Sequence, residues 1–327
     1  MTRRRVVLVS PPYHHTPGPF ERLARFAEPP LGLAYLASAI RGADPEITPE
    51  ILDAPALGLA LEGVLRAIVA RQPHVVGIST TTLTAETSRQ LCRGVRQALP
   101  TARIIVGGAH PSALPGDLLP DADLVVHGEG EATLVEILSG VDPEQIPGAA
   151  FLRDGELRIN PRRPLADLDD LPLPAYDLLP MERYSYPYPL RRKTGRYATM
   201  VTSRGCPGRC TFCAKDTIWG RQVRFHSLDR VMETLETLVR HHRVTLLYLY
   251  DDTLLMDRRR ILALSARIAE TFPALRWICQ ARAPEIDAEL CRTLASRGCV
   301  KLEIGVESGA PEILDAIGKP MDLAAVR

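Results

Sequence analysis

Three cysteines lie close together in the middle of the chain with the spacing C-x3-C-x2-C: Cys206, Cys210 and Cys213. Thiolates are the usual ligands of iron–sulfur clusters, and neighbouring Gly205 and Gly208 favour a loop that can wrap around one. Three thiolates on a cubane of four irons leave one iron open, as a catalytic metal centre requires. The spacing therefore predicts a 4Fe-4S cluster with one open iron.

A single zinc ion is the main alternative for this segment. A structural zinc site takes four ligands, usually as two separated pairs, but the chain has one triplet. His226 is the available fourth ligand, and Cys279, Cys291 and Cys299 lie singly. Seven cysteines, an odd number, are poor material for a disulfide scaffold, so a metal or redox site is expected.

Strand-like and helix-like segments alternate after the cysteines, and polar residues follow the later strands. A (β/α) barrel places its active site at the carboxyl ends of its strands. The polar residues at those ends are Asp251 and Asp252, then Arg282, then Glu307 and Ser308. The pattern predicts strands at 197–202, 245–250, 276–280 and 300–306, and helices at 227–242, 258–271 and 287–297.

The first half alternates buried strands with amphipathic helices and predicts a doubly wound parallel sheet over residues 3–145. Ligands bind such sheets at the carboxyl ends of the strands. The absence of G-x-G-x-x-G after the first strand disfavours a dinucleotide. Three strand-end loops predict a ligand crevice through Ser79, Thr80, Gly107, Gly108, His110, Gly128, Glu129 and Gly130.

Together these features resemble the radical S-adenosylmethionine (SAM) enzymes that carry an N-terminal cobalamin-binding domain. The resemblance rests on the cysteine motif, with Phe212 before its last cysteine, and on the segments SPPY, VGIST, IVGGAHPS and VVHGEGEATL. It implies three cofactors: a 4Fe-4S cluster, SAM and cobalamin. Cys206, Cys210 and Cys213 would hold the cluster.

The resemblance also implies roles for the strand-end residues. Phe212, Asp251 or Asp252, Arg282, and Glu307 or Ser308 would contact SAM, and the eight residues of the first-half crevice would contact cobalamin. The stretch Asp53–Gly58 has Pro55 where a cobalt-ligating histidine stands in other cobalamin proteins, so no imidazole is expected from this loop. No side chain is assigned as the catalytic residue.

The implied activity is a cobalamin-dependent methyltransferase that acts on an unactivated carbon of a small molecule or natural-product intermediate. An oxidative cyclase or rearrangement enzyme of the same architecture, and a non-catalytic cobalamin-binding or scaffold protein, are the alternatives. The partners expected are the small-molecule substrate and an electron donor such as flavodoxin or ferredoxin.

The predicted fold is α/β: a Rossmann-like cobalamin-binding domain at 3–145, a hairpin and Pro-rich linker at 146–196, and a radical SAM core at 197–327. Only four of the family's six strand–helix units are recognisable, and a further helix begins at Asp322. We therefore expect a partial, truncated barrel.

Composition and charge exclude several other classes of protein. The chain has 327 residues, with 40 Lys and Arg against 39 Asp and Glu, a net charge of +1 that argues against nucleic acid as a partner. No apolar run approaches the roughly 20 residues that span a bilayer, and the apolar start is too short for a signal peptide. A soluble, cytoplasmic protein with no membrane partner is expected.

Overall fold

In the computed structural model, the chain folds into two compact units. The first unit is Met1–Ala166 with Asp170–Tyr184, and the second is Asp167–Asp169 with Ser185–Arg327. The structure describes residues 4–13, 27–186, 195–319 and 321–323. The helix predicted from Asp322 runs into residues 324–327, which lie outside the described residues.

The first unit is a twisted sheet with helices on both faces, as predicted. Its strand order is β2-β1-β3-β4-β5-β6-β7. Strands β1 to β5 are parallel to one another, β6 is antiparallel to β5, and β7 is antiparallel to β6. The strands are β1 (Arg4–Ser10), β2 (Ile47–Asp53), β3 (Val75–Ser79), β4 (Arg103–Gly107), β5 (Leu124–Val126), β6 (Ala149–Arg153) and β7 (Glu156–Ile159).

Helices connect these strands and bury the sheet on both faces. They are α1 (Leu31–Ala43), α2 (Ala54–Leu57), α3 (Leu61–Arg71), α4 (Ala85–Ala98), α5 (Ala109–Ala113) and α6 (Glu131–Leu138). One apolar cluster joins α3 and α4 to the sheet through residues such as Val64 and Leu91, and a second joins α1 and α6 through Ile40 and Ile137. Parallel strands buried on both faces carry nearly continuous apolar runs, which is why the sequence predicts them.

Two elements of this unit are not apparent from the sequence pattern. Strand β2 contains Pro49 and the polar residues Thr48 and Glu50, and it lies at the edge of the sheet, where proline is tolerated. Helix α1 has few polar residues, so its apolar side chains are not confined to one face; it buries Leu33, Ala34, Tyr35, Ala37 and Ile40. The predicted hairpin forms β6 and β7 and extends the first sheet, so this unit continues beyond residue 145.

The second unit contains four parallel strands in the order β13-β12-β11-β8, with a short antiparallel pair, β9 and β10, beside them. The strands are β8 (Arg196–Met200), β9 (Ser203–Arg204), β10 (Arg224–Phe225), β11 (Val244–Leu249), β12 (Arg276–Ala281) and β13 (Cys299–Ile304). The helices are α7 (Leu228–Glu236), α8 (Arg258–Thr271), α9 (Ala288–Ser296) and α10 (Pro311–Ala316).

The predicted strand–helix order of this unit is confirmed, with one local difference. The helix predicted over 227–242 is α-helical only to Glu236 and ends in a π-helical turn, Thr237–His241. Gly298 follows α9 with a φ of 92°, the left-handed conformation in which glycine commonly ends a helix. No helix among the described residues is both long and apolar enough to cross a membrane.

Trp277 anchors β12 to the end of α9. Its side chain is fully buried, and its indole nitrogen donates to the Arg297 carbonyl at 2.9 Å. Trp277→Phe removes this donor and leaves a small cavity, so we expect the free energy of unfolding to fall by about 2–3 kcal/mol. Denaturant unfolding of the cluster-free chain measures this.

The chain's other tryptophan, Trp219, provides the matched control because it is only partly buried. Trp219→Phe should change the free energy of unfolding by less than about 1 kcal/mol. Equal effects of the two substitutions would contradict the anchoring role of Trp277.

Candidate functional site

The cysteine loop is closed at its base by β9 and β10. Ser203 and Arg204 pair antiparallel with Phe225 and Arg224, which brings the two ends of the intervening loop together. Gly205 sits at this neck with a φ of 98°, and a Cβ atom there would lie 2.1 Å from the Gln222 carbonyl oxygen. The loop can close in this way only with glycine at position 205.

Cys206 and Cys210 face a common space inside the loop. A Cβ atom at Gly208 would lie 3.3 Å from the Cys206 sulfur and 3.9 Å from the Cys210 sulfur. The amide of Cys213 donates to the Cys210 carbonyl at 3.1 Å, and its side chain is exposed. All three thiols are free, as cluster ligands must be.

Among the described residues, no three His, Cys, Asp or Glu side chains form a group that could hold a single metal ion. A cubane binds each thiolate through a different iron, so its ligands are spaced more widely than those of one ion. The free thiols and the small space beside Gly208 therefore fit a cluster without forming a one-ion site.

His226, the alternative fourth zinc ligand, has other partners. Its Nδ1 lies 3.3 Å from the Asp169 carboxylate, which also accepts from the Ser227 amide at 2.9 Å. Burial lowers the pKa of His226, and the contact with Asp169 opposes that effect. The histidine thus joins residue 169 to the start of α7, and this pairing is what the structure gives it in place of a contact with the thiols.

The segment after α10 packs on the outside of the cysteine loop. The Thr211 amide donates to the Ile317 carbonyl at 2.9 Å. The Lys319 ammonium lies 6.0 Å from the centre of the Phe212 ring and donates to Glu307 at 2.6 Å. Two of the predicted SAM contacts, Phe212 and Glu307, are therefore joined through a lysine that the sequence does not single out.

Asp251 is a buried structural hub. Its carboxylate accepts from the Thr202 amide at 2.9 Å, the Thr202 hydroxyl at 3.0 Å and the Ser203 hydroxyl at 2.5 Å. Burial raises its pKa to about 6, although the hydrogen bonds from Ser203 and Thr202 act in the opposite direction. Both of its oxygens accept hydrogen bonds from Thr202 and Ser203, at the end of the strand that leads into the cysteine loop.

Asp252 is placed differently from Asp251. One carboxylate oxygen, Oδ1, accepts from the Lys215 ammonium. The other, Oδ2, is buried and has no hydrogen-bond partner among the described residues, as is also true of the Thr253 hydroxyl. A buried carboxylate oxygen without a donor is costly, so this atom is suited to accept a hydrogen bond from a cationic group.

Arg282 and Ser308, which also follow strands, differ in their contacts. Nη1 of Arg282 would lie 3.8 Å from a Cβ at Gly208, so its guanidinium is beside the cysteine loop. The Arg282 amide donates to Glu285 at 3.2 Å. The Ser308 hydroxyl accepts from the Ala310 amide at 3.1 Å, which is a local turn contact.

A polar network, which we call the tyrosine–lysine network, joins Tyr186, Tyr248, Gln280, Lys301 and Glu303. Glu303 accepts at 2.5 Å from both tyrosine hydroxyls and at 2.6 Å from Lys301. The amide of Gln280 donates to Tyr248 at 3.0 Å. In the sequence, polar and apolar side chains alternate along β13, which places Lys301 and Glu303 on the same face of that strand.

In the first unit, the predicted crevice loops follow β3, β4 and β5, which are neighbours in the sheet. The Thr80 amide donates to the Gly107 carbonyl at 2.7 Å. A Cβ atom at Gly108 would lie 2.7 Å from the Thr80 carbonyl oxygen, so only glycine allows the two loops to approach. Gly128, after β5, donates from its amide to the Ser112 hydroxyl at 2.9 Å.

Several polar side chains of this crevice are used internally. The Thr80 hydroxyl donates to Ser88 at 2.9 Å, and both groups are buried. His110 is 8% exposed, with Nε2 lying 2.9 Å from Asp117 and Nδ1 lying 3.4 Å from the Thr82 hydroxyl. Ser79, Gly107, Glu129 and Gly130 are partly exposed at the same edge. The groups that a ligand could contact in this crevice are thus mostly backbone atoms and small side chains.

Asp53, at the end of β2, is 1% exposed and accepts from the Tyr184 hydroxyl at 2.6 Å. Burial raises the pKa of this carboxyl group. Pro55 lies in the short helix α2 that follows. The stretch Asp53–Gly58 therefore supplies a structural carboxyl and a helical turn, and it contains no imidazole.

Gly205→Ala tests the closure of the cysteine loop. The added Cβ atom would push against backbone at the neck, so the loop should open and hold a cluster poorly. We expect iron and sulfide per chain after anaerobic reconstitution to fall severalfold, while the cluster-free chain still folds with a lower free energy of unfolding. Cys210→Ala sets the level for a lost ligand, and wild-type iron content in Gly205→Ala would contradict the expected role.

Asp251→Asn tests the buried hub through its pH dependence. The folded-state pKa of about 6 lies above the ordinary value of 3.8, so protonation stabilises the folded state and this stability is lost as pH rises through that window. Wild type should therefore gain roughly 2 kcal/mol between pH 7 and pH 4.5 relative to the variant. Urea unfolding measures both free energies of unfolding. A difference between wild type and Asp251→Asn that does not change with pH would contradict a raised pKa for Asp251.

Two family models match the chain. The B12 binding domain matches residues 23–138, and the Radical SAM superfamily matches residues 200–326. An uncharacterized methyltransferase, PH0819, from Pyrococcus horikoshii is 32% identical over 96% of this chain and 68% of its own length. The anaerobic magnesium-protoporphyrin IX monomethyl ester cyclase of Rubrivivax gelatinosus is 26% identical over 96% of this chain and 57% of its own length.

Solved structures give the same fold. The radical enzyme OxsB, with aqua-cobalamin and SAM bound, superposes with a TM-score of 0.80 at 20% identity, covering 98% of this chain and 46% of its own. The methyltransferase TsrM from Kitasatospora setae, with cobalamin and a 4Fe-4S cluster bound, gives 0.74 at 20% identity, covering 100% and 64%. The chain thus spans about half to two thirds of the length of these proteins. The predicted fold class is confirmed.

Proposed function

Because the chain belongs to the family of radical SAM enzymes with an N-terminal B12-binding domain, we propose that it takes part in cobalamin-dependent methylation of an unactivated carbon. The family carries a 4Fe-4S cluster, SAM and cobalamin, in agreement with the cofactors inferred from the sequence. The observation that carries the proposal is the closed cysteine loop beside the unpartnered Asp252 oxygen.

Cys206, Cys210 and Cys213 would hold the cluster, with Gly205 and Gly208 giving the loop its closure and its internal space. When bound, the cluster supplies an electron to SAM, and cobalamin supplies the methyl group. The protein's task is to hold these groups and keep water away from them.

Around SAM, Asp252 would accept a hydrogen bond from the ammonium group through its unpartnered oxygen. Arg282 lies beside the cysteine loop and would bind the SAM carboxylate through its guanidinium, which suits a planar carboxylate. Phe212, Glu307 and Ser308 would complete the contacts to the adenosine part. Asp251 would act only as the structural support described above.

Cobalamin would lie over the strand-end loops of the first unit, against Ser79, Thr80, Gly107, Gly108, Gly128, Glu129 and Gly130. His110 would support that crevice from below, since both of its ring nitrogens have protein partners. With Pro55 in the Asp53–Gly58 stretch, the cobalt would receive no imidazole from this loop.

The tyrosine–lysine network would face a small-molecule substrate. Gln280 lies in β12 and Arg282 directly follows that strand, about 7 Å further along the extended chain, so the network would lie near the SAM contacts. Lys301 and Glu303 are partly exposed there and offer both a donor and an acceptor. A flavodoxin or ferredoxin would deliver the electron.

Oxidative cyclisation is the second candidate, because cyclases such as the Rubrivivax gelatinosus enzyme match the same 96% of this chain. The two reactions differ in their SAM products. A methyltransferase of this kind yields both S-adenosylhomocysteine and 5′-deoxyadenosine, whereas a cyclase yields only the second.

The test is anaerobic reconstitution of the full chain with iron, sulfide and hydroxocobalamin, followed by SAM and a strong reductant. We expect brown, iron-containing protein that forms both nucleoside products, and Cys206→Ala should abolish their formation. Formation of 5′-deoxyadenosine alone would favour the cyclase. A cluster without SAM cleavage would favour a non-catalytic binding protein, and stoichiometric zinc without iron would favour a zinc module.

A further inference from the structure

The two oxygens of the Asp252 carboxylate have different surroundings. Oδ1 accepts from the Lys215 ammonium, whereas Oδ2 is buried without a partner among the described residues. The Asp252 side chain is 3% exposed and that of Lys215 is 42% exposed. Lys215 is therefore the more exposed member of the pair, and it contacts only one of the two carboxylate oxygens.

Lys215 comes from the turn that follows the cysteine loop. The 3₁₀ turn Lys215–Thr217 begins two residues after Cys213, whereas Asp252 follows β11. The ion pair thus connects the end of the cysteine loop to the strand end that carries the unpartnered oxygen. A carboxylate held at one oxygen by a fixed cation has its second oxygen oriented as well.

We propose that Lys215 is a positioning residue: it holds one oxygen of Asp252 so that the other is presented to the ammonium group of SAM. The inference rests on the proposed contact between Asp252 and SAM. Lys215 does not have to leave for SAM to bind, since each cation uses a different oxygen.

The charges around Asp252 support this arrangement. Burial raises the pKa of Asp252, and the hydrogen bond and charge of Lys215 lower it. The nearby guanidinium of Arg260 acts on Asp251 and not on Asp252. Without Lys215, the Asp252 carboxyl would keep its proton to a higher pH and would then be a poorer acceptor for an ammonium group.

The test is the dissociation constant of SAM, measured by equilibrium dialysis on the reconstituted but unreduced full chain at pH 6.5, 7.5 and 8.5. Each variant is compared with wild type at the same pH, which cancels titration of the SAM amine. We expect Lys215→Met to weaken binding by about tenfold at pH 6.5 and by less at pH 8.5. Lys215→Arg should remain within about twofold of wild type because it keeps the charge.

Arg221→Met is the matched control, because Arg221 is an exposed cation of the same loop that pairs with Asp216 at 3.3 Å. It should bind SAM as wild type does, with iron content equal in all samples. Unchanged or tighter binding by Lys215→Met, or an equal loss in Lys215→Met and Lys215→Arg, would overturn the positioning role.

Asp252→Asn separates this inference from the proposed function. If Asp252→Asn weakens SAM binding and Lys215→Met does not, only the role of Lys215 fails. If Asp252→Asn binds SAM as tightly as wild type does, the proposed contact with the ammonium fails and the role of Lys215 fails with it. A wild-type chain that binds no SAM would overturn both.

Discussion

The second unit depends on one buried carboxylate. Asp251 joins Thr202 and Ser203, at the start of the cysteine loop, to the end of β11. Ser203 belongs to β9, whose pairing with β10 closes the base of that loop. A single set of hydrogen bonds therefore fixes the loop relative to the strand end that carries Asp252. Because the group is fully buried, water cannot replace a lost partner, and the arrangement is held tightly.

The same constraint explains why two adjacent aspartates have different roles. Asp251 satisfies backbone and hydroxyl donors, and its acceptor capacity is used within the protein. Asp252 is held at one oxygen by Lys215 and has an unused, buried acceptor at the other. Burial raises the pKa of both carboxyl groups, but only the second has capacity left for a ligand. Because the first residue is used structurally, the second is the one proposed to bind a ligand.

Both units place their candidate ligand groups after parallel strands, and both need glycine to do so. At Gly205 a side chain would collide with the Gln222 carbonyl, and at Gly108 it would collide with the Thr80 carbonyl. At Gly205 the two ends of the cysteine loop meet, and at Gly108 two strand-end loops meet; a ligand is expected at both places. Side chains there would hold the loops apart, so the glycines act through the space they leave empty.

Local sequence patterns are sufficient to predict the order of the elements and the kind of chemistry. Three features are local: the C-x3-C-x2-C spacing, the apolar strand runs and the polar residues after each strand. Such features can be recognised without knowledge of the fold. They were enough to predict the doubly wound sheet, the four parallel strands of the second unit and the family, all of which the structure and the comparisons confirm. The edge strand β2 escaped this reasoning because its apolar pattern is interrupted by Thr48, Pro49 and Glu50.

Which side chains can contact a ligand depends on the contacts that form when the chain folds. Spacing along the chain could not separate Asp251 from Asp252, nor reveal that His226 pairs with Asp169 and His110 with Asp117. It also gave no sign of Lys215 beside Asp252, or of the hydrogen bonds that gather Tyr186, Tyr248 and Glu303. These contacts join residues that are distant along the chain, and burial and hydrogen-bond satisfaction depend on all the neighbours that folding brings together.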